Sequence, residues 1–401
     1  MTPMGEASGP LKGLKILDLS RLVAGNYLSF HLAELGAEVI KIEDPKSGDP
    51  LRQFTDNGIS NSWKVFSRNK KSLAINLKDP EGQKIVLDLV RSSHALIENF
   101  KPGGLEKFGL SPATLFEIKP SLIIVRISGW GQTGPYSHKP GFGTLIEAFS
   151  GFAAKSGFPD SEPLLPNLGL ADMVTGTLGA YALMAALREV EVNQGKGQVI
   201  DLSLLESMVS FMGADPATSQ ATGKPIPRVG NGSEIAAPRN LYKTQDQQYL
   251  AISASMQSMT EKLFIAIGQP ALIDDPRFTS NAKRVENREA LDAIVGAFIA
   301  ENTLAENLAF FEQQSITAGP VHDSMSILED AHVIDRQVFV ELDDADCGSL
   351  PMPNVAPRFS ATPGGIHSVA PSIGEHGEEI LKSLALDAQT IARLSASGVI
   401  Q

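Results

Sequence analysis

Leu14-Lys-Ile-Leu-Asp-Leu19, the turn Ser20 to Asn26, the leucines at 28, 32 and 35, Gly36, and Glu38-Val-Ile-Lys-Ile-Glu43 together decide the fold. Two apolar runs of strand length flank a segment whose leucines recur at helical spacing, and a glycine stands where that helix must stop. Strand, helix and strand make a parallel βαβ unit.

The alternation continues outward. Pro80-Glu81 opens a helix through Leu89, His94-Ala-Leu-Ile-Glu98 reads as a strand, and Leu122-Ile-Ile-Val-Arg-Ile127 as a further buried strand, so the first half is an α/β domain with a mostly parallel sheet. An Ala- and Leu-rich helix runs from Asp172 to about Glu191, with Gly176 and Gly179 on one face to admit another backbone closely. Gln198-Val-Ile-Asp-Leu202 is a strand, followed by a helix through Met212. Asp215 to Asn240 is rich in Pro, Gly, Ser and Thr and marks a boundary or loop. Beyond it, Tyr249-Leu-Ala-Ile-Ser253 and helical patterns near 259–268, 288–301 and 304–315 indicate a smaller α+β unit. Pro320 to Arg336 reads as a return connection and 350–372 as extended, irregular chain. A short helix near Glu378–Leu386 closes the sequence.

With 401 residues, 42% hydrophobic and 20% charged, the chain is ordinary globular material and long enough for two cores. No run approaches the ~20 consecutive apolar residues of a membrane span. Met1 to Pro10 carries no secretory signal pattern, and the single Cys347 excludes an internal disulfide and any cysteine zinc cluster, so a cytoplasmic location is expected. A net charge of −12 argues against nucleic acid as partner. The seven histidines show no metal-ligand spacing, and no metal is expected.

Gly129-Trp-Gly-Gln-Thr-Gly134 matches GxGxxG, but Pro135-Tyr-Ser-His-Lys-Pro140 follows it where a dinucleotide site needs a helix, so a structural or substrate loop is the reading. Asp172, at the start of its helix, is either an N-cap or a carboxylate kept ionised by the helix dipole and able to attack, and its position alone admits both. Glu98-Asn-Phe-Lys-Pro-Gly103 and Arg21 to Asn26 lie at strand ends, where open α/β sheets bind ligands; each is also an acceptable turn. Lys101 and Lys107 suit phosphates there, and Phe100 an adenine. No GxSxG elbow, cysteine nucleophile or P-loop is present.

In order along the chain, Leu17-Asp-Leu-Ser-Arg-Leu-Val-Ala-Gly25, Leu35-Gly-Ala-Glu-Val-Ile-Lys-Ile-Glu43, Ser47-Gly-Asp49, Asn69-Lys-Lys-Ser72, Asp79-Pro-Glu-Gly82, Glu98-Asn-Phe-Lys-Pro-Gly103, Ile127 to Pro135, Gly169-Leu-Ala-Asp172 and Gly197 to Ser203 resemble the family III CoA-transferases. Arg228-Val-Gly-Asn231, Asp275-Pro-Arg-Phe278, Ala318-Gly-Pro-Val321 and Pro357-Arg-Phe-Ser360 continue the pattern nearly to the end. The resemblance implies a Rossmann-like large domain, a small domain joined by two linkers, and an interlocked homodimer. On this chain the division falls as 1–214 (large domain), 215–240 (linker), 241–318 (small domain), 319–349 (return linker) and 350–401 (completing the large domain).

It further implies a CoA-transferase with Asp172 as nucleophile, and CoA contacts at Arg21, Ala24, Ile75, Asn99, Phe100, Lys107 and Phe108. CoA thioester enters as substrate, with no tightly bound cofactor. Relay would pass through an aspartyl mixed anhydride and an aspartyl-CoA thioester, with N–H groups of the glycine-rich loops on the oxyanions. The oxalate branch's Tyr-Glu pair falls on Gly143 and Thr144, and the racemase branch's histidine on the loop Gly141-Phe-Gly143, where Phe142 cannot take a proton. These departures disfavour oxalate and 2-methylacyl-CoA racemisation; the alternatives are that isomerase or a non-catalytic CoA-binding protein. A small dicarboxylate is the expected acid, with Arg228 or Arg239 as candidates to hold its second carboxylate.

Overall fold

The computed structural model describes residues 9–401. They form two compact units: residues 9–151, 166–214 and 337–401 in the first, residues 152–165 and 215–336 in the second. The chain therefore passes between units at 151/152, 165/166, 214/215 and 336/337. The excursion 152–165 adds two passages to the pair expected at 215–240 and 319–349. It belongs with the second unit because the Arg228 guanidinium donates to the carbonyls of Ala154 and Phe158, and Gly230 N–H donates to Gly157 O at 2.9 Å.

The first unit is built on six parallel strands: β1 (Lys15–Asp18), β2 (Glu38–Glu43), β3 (Lys70–Ala74), β4 (Ala95–Glu98), β5 (Ile123–Ser128) and β6 (Val199–Ser203), in the order β3-β2-β1-β4-β5-β6. This is the doubly wound arrangement, whose order reverses between β1 and β4. Leu17, opposite Ile40 and Leu96, is fully buried, as strands covered on both faces require. Gly36, at φ 99°, ends the helix Ala24–Glu34 in a conformation that favours glycine.

Strand β3 escapes a reading by hydropathy because Lys70, Lys71 and Ser72 are polar; Lys70 is buried all the same, held by ionic and hydrogen-bond partners. The C-terminal region also differs from expectation. Phe339–Asp344 and Gly348–Pro353 pair as an antiparallel hairpin, β10 and β11 in the chain's strand order. With only two strands both are edges, which tolerate Pro351 and Pro353. The helix Gly377–Ser383 is followed by a second, Ala388–Ala396, capped by the Asp387 side chain. Ile380, Leu381 and Leu394 from these helices pack into the core with Leu73, Val86 and Leu89.

The helix starting near Asp172 spans Leu170–Val192 and crosses Ala24–Glu34 at its glycines. By length and composition it is apolar enough to cross a membrane, but it packs against that helix and the sheet. A Cβ on Gly176 would lie 2.8 Å from Ala24 O and 3.0 Å from Leu28 N, both backbone atoms; one on Gly179 would meet Leu28 Cδ1 and Leu202 Cδ2, the ends of movable side chains. Gly176→Ala is therefore expected to cost about 1–3 kcal/mol through overpacking, with Gly179→Ala less costly. Urea unfolding midpoints check the ranking, and equal midpoints would refute it.

The second unit holds the antiparallel sheet β7 (Arg239–Lys243), β8 (Tyr249–Ser253) and β9 (Ala318–Pro320) in that order. Helices Gln257–Ala266, Arg288–Ala300 and Leu304–Gln313 close over a core that includes Leu250, Leu263, Leu291 and Phe311. Asp215–Thr222, expected within a linker, is helical. Arg284 is fully buried, its guanidinium donating to the carbonyls of Ala237, Ser255 and Phe278.

Candidate active site

At the carboxyl ends of β1 and β4, where the sheet order reverses, the chain leaves both strands toward solvent. There Arg21 N–H donates to Asn99 Oδ1 at 2.8 Å, and Asn99 Nδ2 donates back to Arg21 O at 2.7 Å. The Arg21 guanidinium stands 5.3 Å from the Phe100 ring centre, and Phe100 meets Phe108 edge-on at 5.4 Å. A cavity of about 230 Å³ opens beside them, with Arg21, Asp49, Ile75, Lys78, Phe100 and Phe108 in its lining.

Of the seven expected CoA contacts, Arg21, Ile75, Phe100 and Phe108 line this cavity. Asn99 is outside the lining, tied to the Arg21 backbone. Ala24 is buried as the first residue of its helix, and Lys107 is exposed, next to Phe108. Asp172 lies outside the cavity lining.

A buried ionic cluster holds the first of these loops in shape. Asp18, wholly buried, accepts from Ser20 N–H and from the hydroxyls of Ser20 and Ser29, with Lys41 and Lys70 each 3.4 Å away. Lys41 also donates to Ser20 O and pairs with Asp49 at 3.0 Å. Asp49 accepts from Leu22 N–H, Leu51 N–H and Asn26 Nδ2 at 2.8–2.9 Å. Leu22 takes φ 64°, a conformation costly for a bulky residue, so its hydrogen bond to Asp49 holds the loop against local strain. Burial alone would push the carboxyls of Asp18 and Asp49 up, but Lys41 and the donated hydrogen bonds hold both below the usual range. Lys70 is depressed to about 8, because its burial outweighs its acidic neighbours.

The second loop has its own clamp. Glu98 at the end of β4 accepts from Phe100 N–H at 2.7 Å and pairs with Arg126 of β5, which also reaches Glu106. One guanidinium thus connects both ends of the turn that presents Phe100.

Asp172 is not the N-cap. Gly169 holds that position, the helix begins at Leu170, and Asp172 is its third residue. Its carboxylate turns against Gly143 instead: a Cβ there would lie 2.7 Å from Oδ2, and one on Gly169 would lie 3.6 Å from it. No hydrogen bond to this carboxylate is found among the described residues. Its pKa also departs from the helix-dipole expectation, being raised to about 6, first by burial and second by the charge of Glu147. At neutral pH Asp172 is still mostly ionised, a partly buried carboxylate packed closely against Gly143 and, less closely, against Gly169.

Gly129 and Gly141 approach backbone to backbone: a Cβ on Gly129 would lie 2.5 Å from Gly141 Cα. Gly129 to Phe142 carries no helix before Gly143–Phe149, so the GxGxxG match is a loop without a dinucleotide helix. Arg228 and Arg239 lie in the second unit and spend their guanidinia on backbone carbonyls, Arg239 on that of Gly232 at 2.9 Å. Lys41, Asp49, Arg126 and Glu147 carry no role in the sequence reading. Their signal was available for three of them, since Lys41, Arg126 and Glu147 are charges inside apolar runs, where burial demands partners.

The chain is similar to proteins of known activity and to solved structures. The chain is 38% identical to a succinyl-CoA–D-citramalate CoA-transferase of Chloroflexus aurantiacus, covering 98% of both chains. It is 35% identical to the succinyl-CoA:glutarate CoA-transferase of Mus musculus, covering 98% of this chain and 90% of that one. A crystal structure of a CAIB/BAIF family protein from Brucella suis superposes with a TM-score of 0.82 at 31% identity, covering 94% of this chain and 100% of that one. The sequence profile of CoA-transferase family III matches residues 11–377, and the chain belongs to that family.

Proposed function

We propose that the protein exchanges coenzyme A between an acyl-CoA donor and a small dicarboxylate by covalent relay on Asp172. The observation that carries this reading is the Asp172 carboxylate itself, partly buried, without a hydrogen-bond partner among the described residues, and packed against Gly169 and against Gly143, where only glycine leaves room for it. A carboxylate not engaged in capping is available to attack.

In the relay, an Asp172 oxygen bonds to the thioester carbon and the electron pair leaves on the CoA sulfur, giving a mixed anhydride. The thiolate then attacks the aspartyl carbonyl and releases the donor acid, leaving CoA on Asp172 as a thioester. The acceptor carboxylate displaces the thiolate to form a second anhydride. Return of the thiolate to the acceptor's acyl carbon releases the new thioester and the free carboxylate. No net proton is moved, and each step passes through an oxyanion that N–H groups of the glycine-rich loops would stabilise. The cavity at the switch point supports CoA binding there: Phe100 and Phe108 offer an apolar face for the adenine, and Arg21, Lys78, Lys101 and Lys107 offer charge for phosphates.

The named activities of the relatives support succinyl-CoA as donor and a dicarboxylate of the citramalate, malate or glutarate kind as acceptor. A homodimer is part of this reading, supported by exposed apolar side chains such as Tyr181 (73%) and Phe211 (61%) in the first unit. So is a cytoplasmic location, which the single Cys347 supports.

The test is an exchange screen: succinyl-, acetyl- and formyl-CoA against citramalate, malate, glutarate, mesaconate and oxalate, read by mass spectrometry. Exchange with succinyl-CoA and at least one longer dicarboxylate is expected, with oxalate inactive. Uptake of α-deuterium from heavy water without acid exchange would replace the transferase reading by an isomerase.

A further inference from the structure

Glu147 lies on the helix Gly143–Phe149 and is 3% exposed. It is the only charge in that helix, whose other side chains are apolar or small apart from Thr144. Its Oε1 accepts from Ala171 N–H at 3.1 Å, the residue before Asp172. That N–H belongs to the first turn of Leu170–Val192, where backbone donors have no partner within the helix. Glu147 therefore reaches from a neighbouring element to satisfy one of them, and sets the turn that carries Asp172.

A buried carboxylate is an expensive means of satisfying one N–H, since an asparagine or glutamine amide oxygen would serve without a charge. What the charge adds is repulsion toward Asp172. Among the described residues, the helix Gly143–Phe149 and Gly169 pack against Asp172, and Glu147 is the charged residue on them. We infer that Glu147 is a positioning residue for Asp172, fixing its turn through Ala171 N–H and destabilising its anion so that the carboxylate remains a strong nucleophile. The inference rests on the relay proposed above.

The charge balance shows why this helps. When an Asp172 oxygen bonds to the acyl carbon and the C–S bond breaks, the negative charge departs with the CoA sulfur. Repulsion from Glu147 acts on the free carboxylate and falls as that charge leaves, so it is relieved along the reaction coordinate. The direction of the Asp172 pKa, raised by burial and then by Glu147, agrees with this.

The experiment uses the full-length protein with succinyl-CoA and its best acceptor, following kcat/KM for exchange across pH and, at one fixed neutral pH, trapping Asp172 with hydroxylamine and locating the modified residue by mass spectrometry. In the wild type, kcat/KM is expected to rise with pH around the Asp172 midpoint near 6, with Asp172 labelled. E147Q keeps an oxygen for Ala171 N–H and loses the charge. It should still be labelled, with the midpoint moved to lower pH, a reduced kcat and little change in KM for either substrate. An unmoved midpoint with unchanged kcat overturns the inference and leaves the relay standing. Absence of label on Asp172 in the wild type overturns the relay and the inference with it. Should E147Q fail to fold, E147D keeps the charge on a shorter arm: a midpoint still near that of the wild type with lower kcat supports the assignment, and a midpoint that falls as it would without the charge refutes it.

Discussion

Asp172→Asn is expected to abolish CoA exchange while making the protein more stable at neutral and alkaline pH. On the proposed relay, Asp172→Asn removes the covalent nucleophile and leaves only binding and oxyanion stabilisation, so a loss of about 10⁴-fold or more is expected. The gain in stability follows from the Asp172 pKa, about 6 in the folded protein against an ordinary 3.8. Below the ordinary value the carboxyl is protonated in both folded and unfolded chains, and burial costs nothing extra. As pH rises through 6 the folded protein must carry the charge in a place that disfavours it. About 2 units at about 1.4 kcal/mol each put that cost near 3 kcal/mol. Asparagine carries no charge, so its advantage should be complete above pH 7 and fade toward pH 4. Urea unfolding at pH 8 and pH 4.5, beside the exchange assay, measures both effects. Exchange within tenfold of wild type would remove Asp172 from the chemistry; a variant less stable at pH 8 would show that the site does not disfavour the anion.

Lys41→Met should be the most damaging single change in the first unit. It keeps the buried stem but deletes the charge that Asp18 and Asp49 share, leaving two carboxylates under-neutralised in the interior. Breaking a buried ion pair on one side costs about 3–5 kcal/mol. Lys70→Met should cost less, because Lys70 is itself held at a disadvantage as a cation, with its pKa lowered to about 8. Acid unfolding adds an independent check. The depressed pKa values of Asp18 and Asp49 contribute stability that is present above the ordinary carboxylate range and lost as pH falls through their folded values. Without Lys41 those values rise, so acid unfolding should begin at higher pH. The loop Ser20 to Asn26 would lose the anchored Asp49 that holds Leu22 at positive φ, and KM for CoA should rise with it. A Lys41→Met protein as stable as the wild type, or more damaged by loss of Lys70 than of Lys41, would contradict this account of the cluster.

Much of the fold was legible because burial leaves a regular mark. Strands β1, β2, β4 and β5 are covered on both faces and read as apolar runs, and Gly36 stops the first helix where the leucine period ends. Gly176 likewise announced a close approach, and Ala24 is what approaches. The mark failed at β3, where buried lysine and serine depend on partners far along the chain, and at the C-terminal hairpin, where prolines disguise two edge strands. It failed again at 152–165, whose place in the second unit depends on hydrogen bonds to Arg228 and Gly230.

The sequence by itself determined the parallel α/β core, the family, and Asp172 as the residue to watch, because these rest on periodicity and on motifs that are local in the chain. Only the tertiary structure decided that Asp172 is no cap, that it faces Gly143, and that Glu147 stands beside it. Those properties arise between residues distant in sequence, from burial and from the charge that Glu147 brings from another helix. A helix N-terminus read locally promises a lowered pKa; the packed site, by taking water away and adding a second carboxylate, reverses the sign.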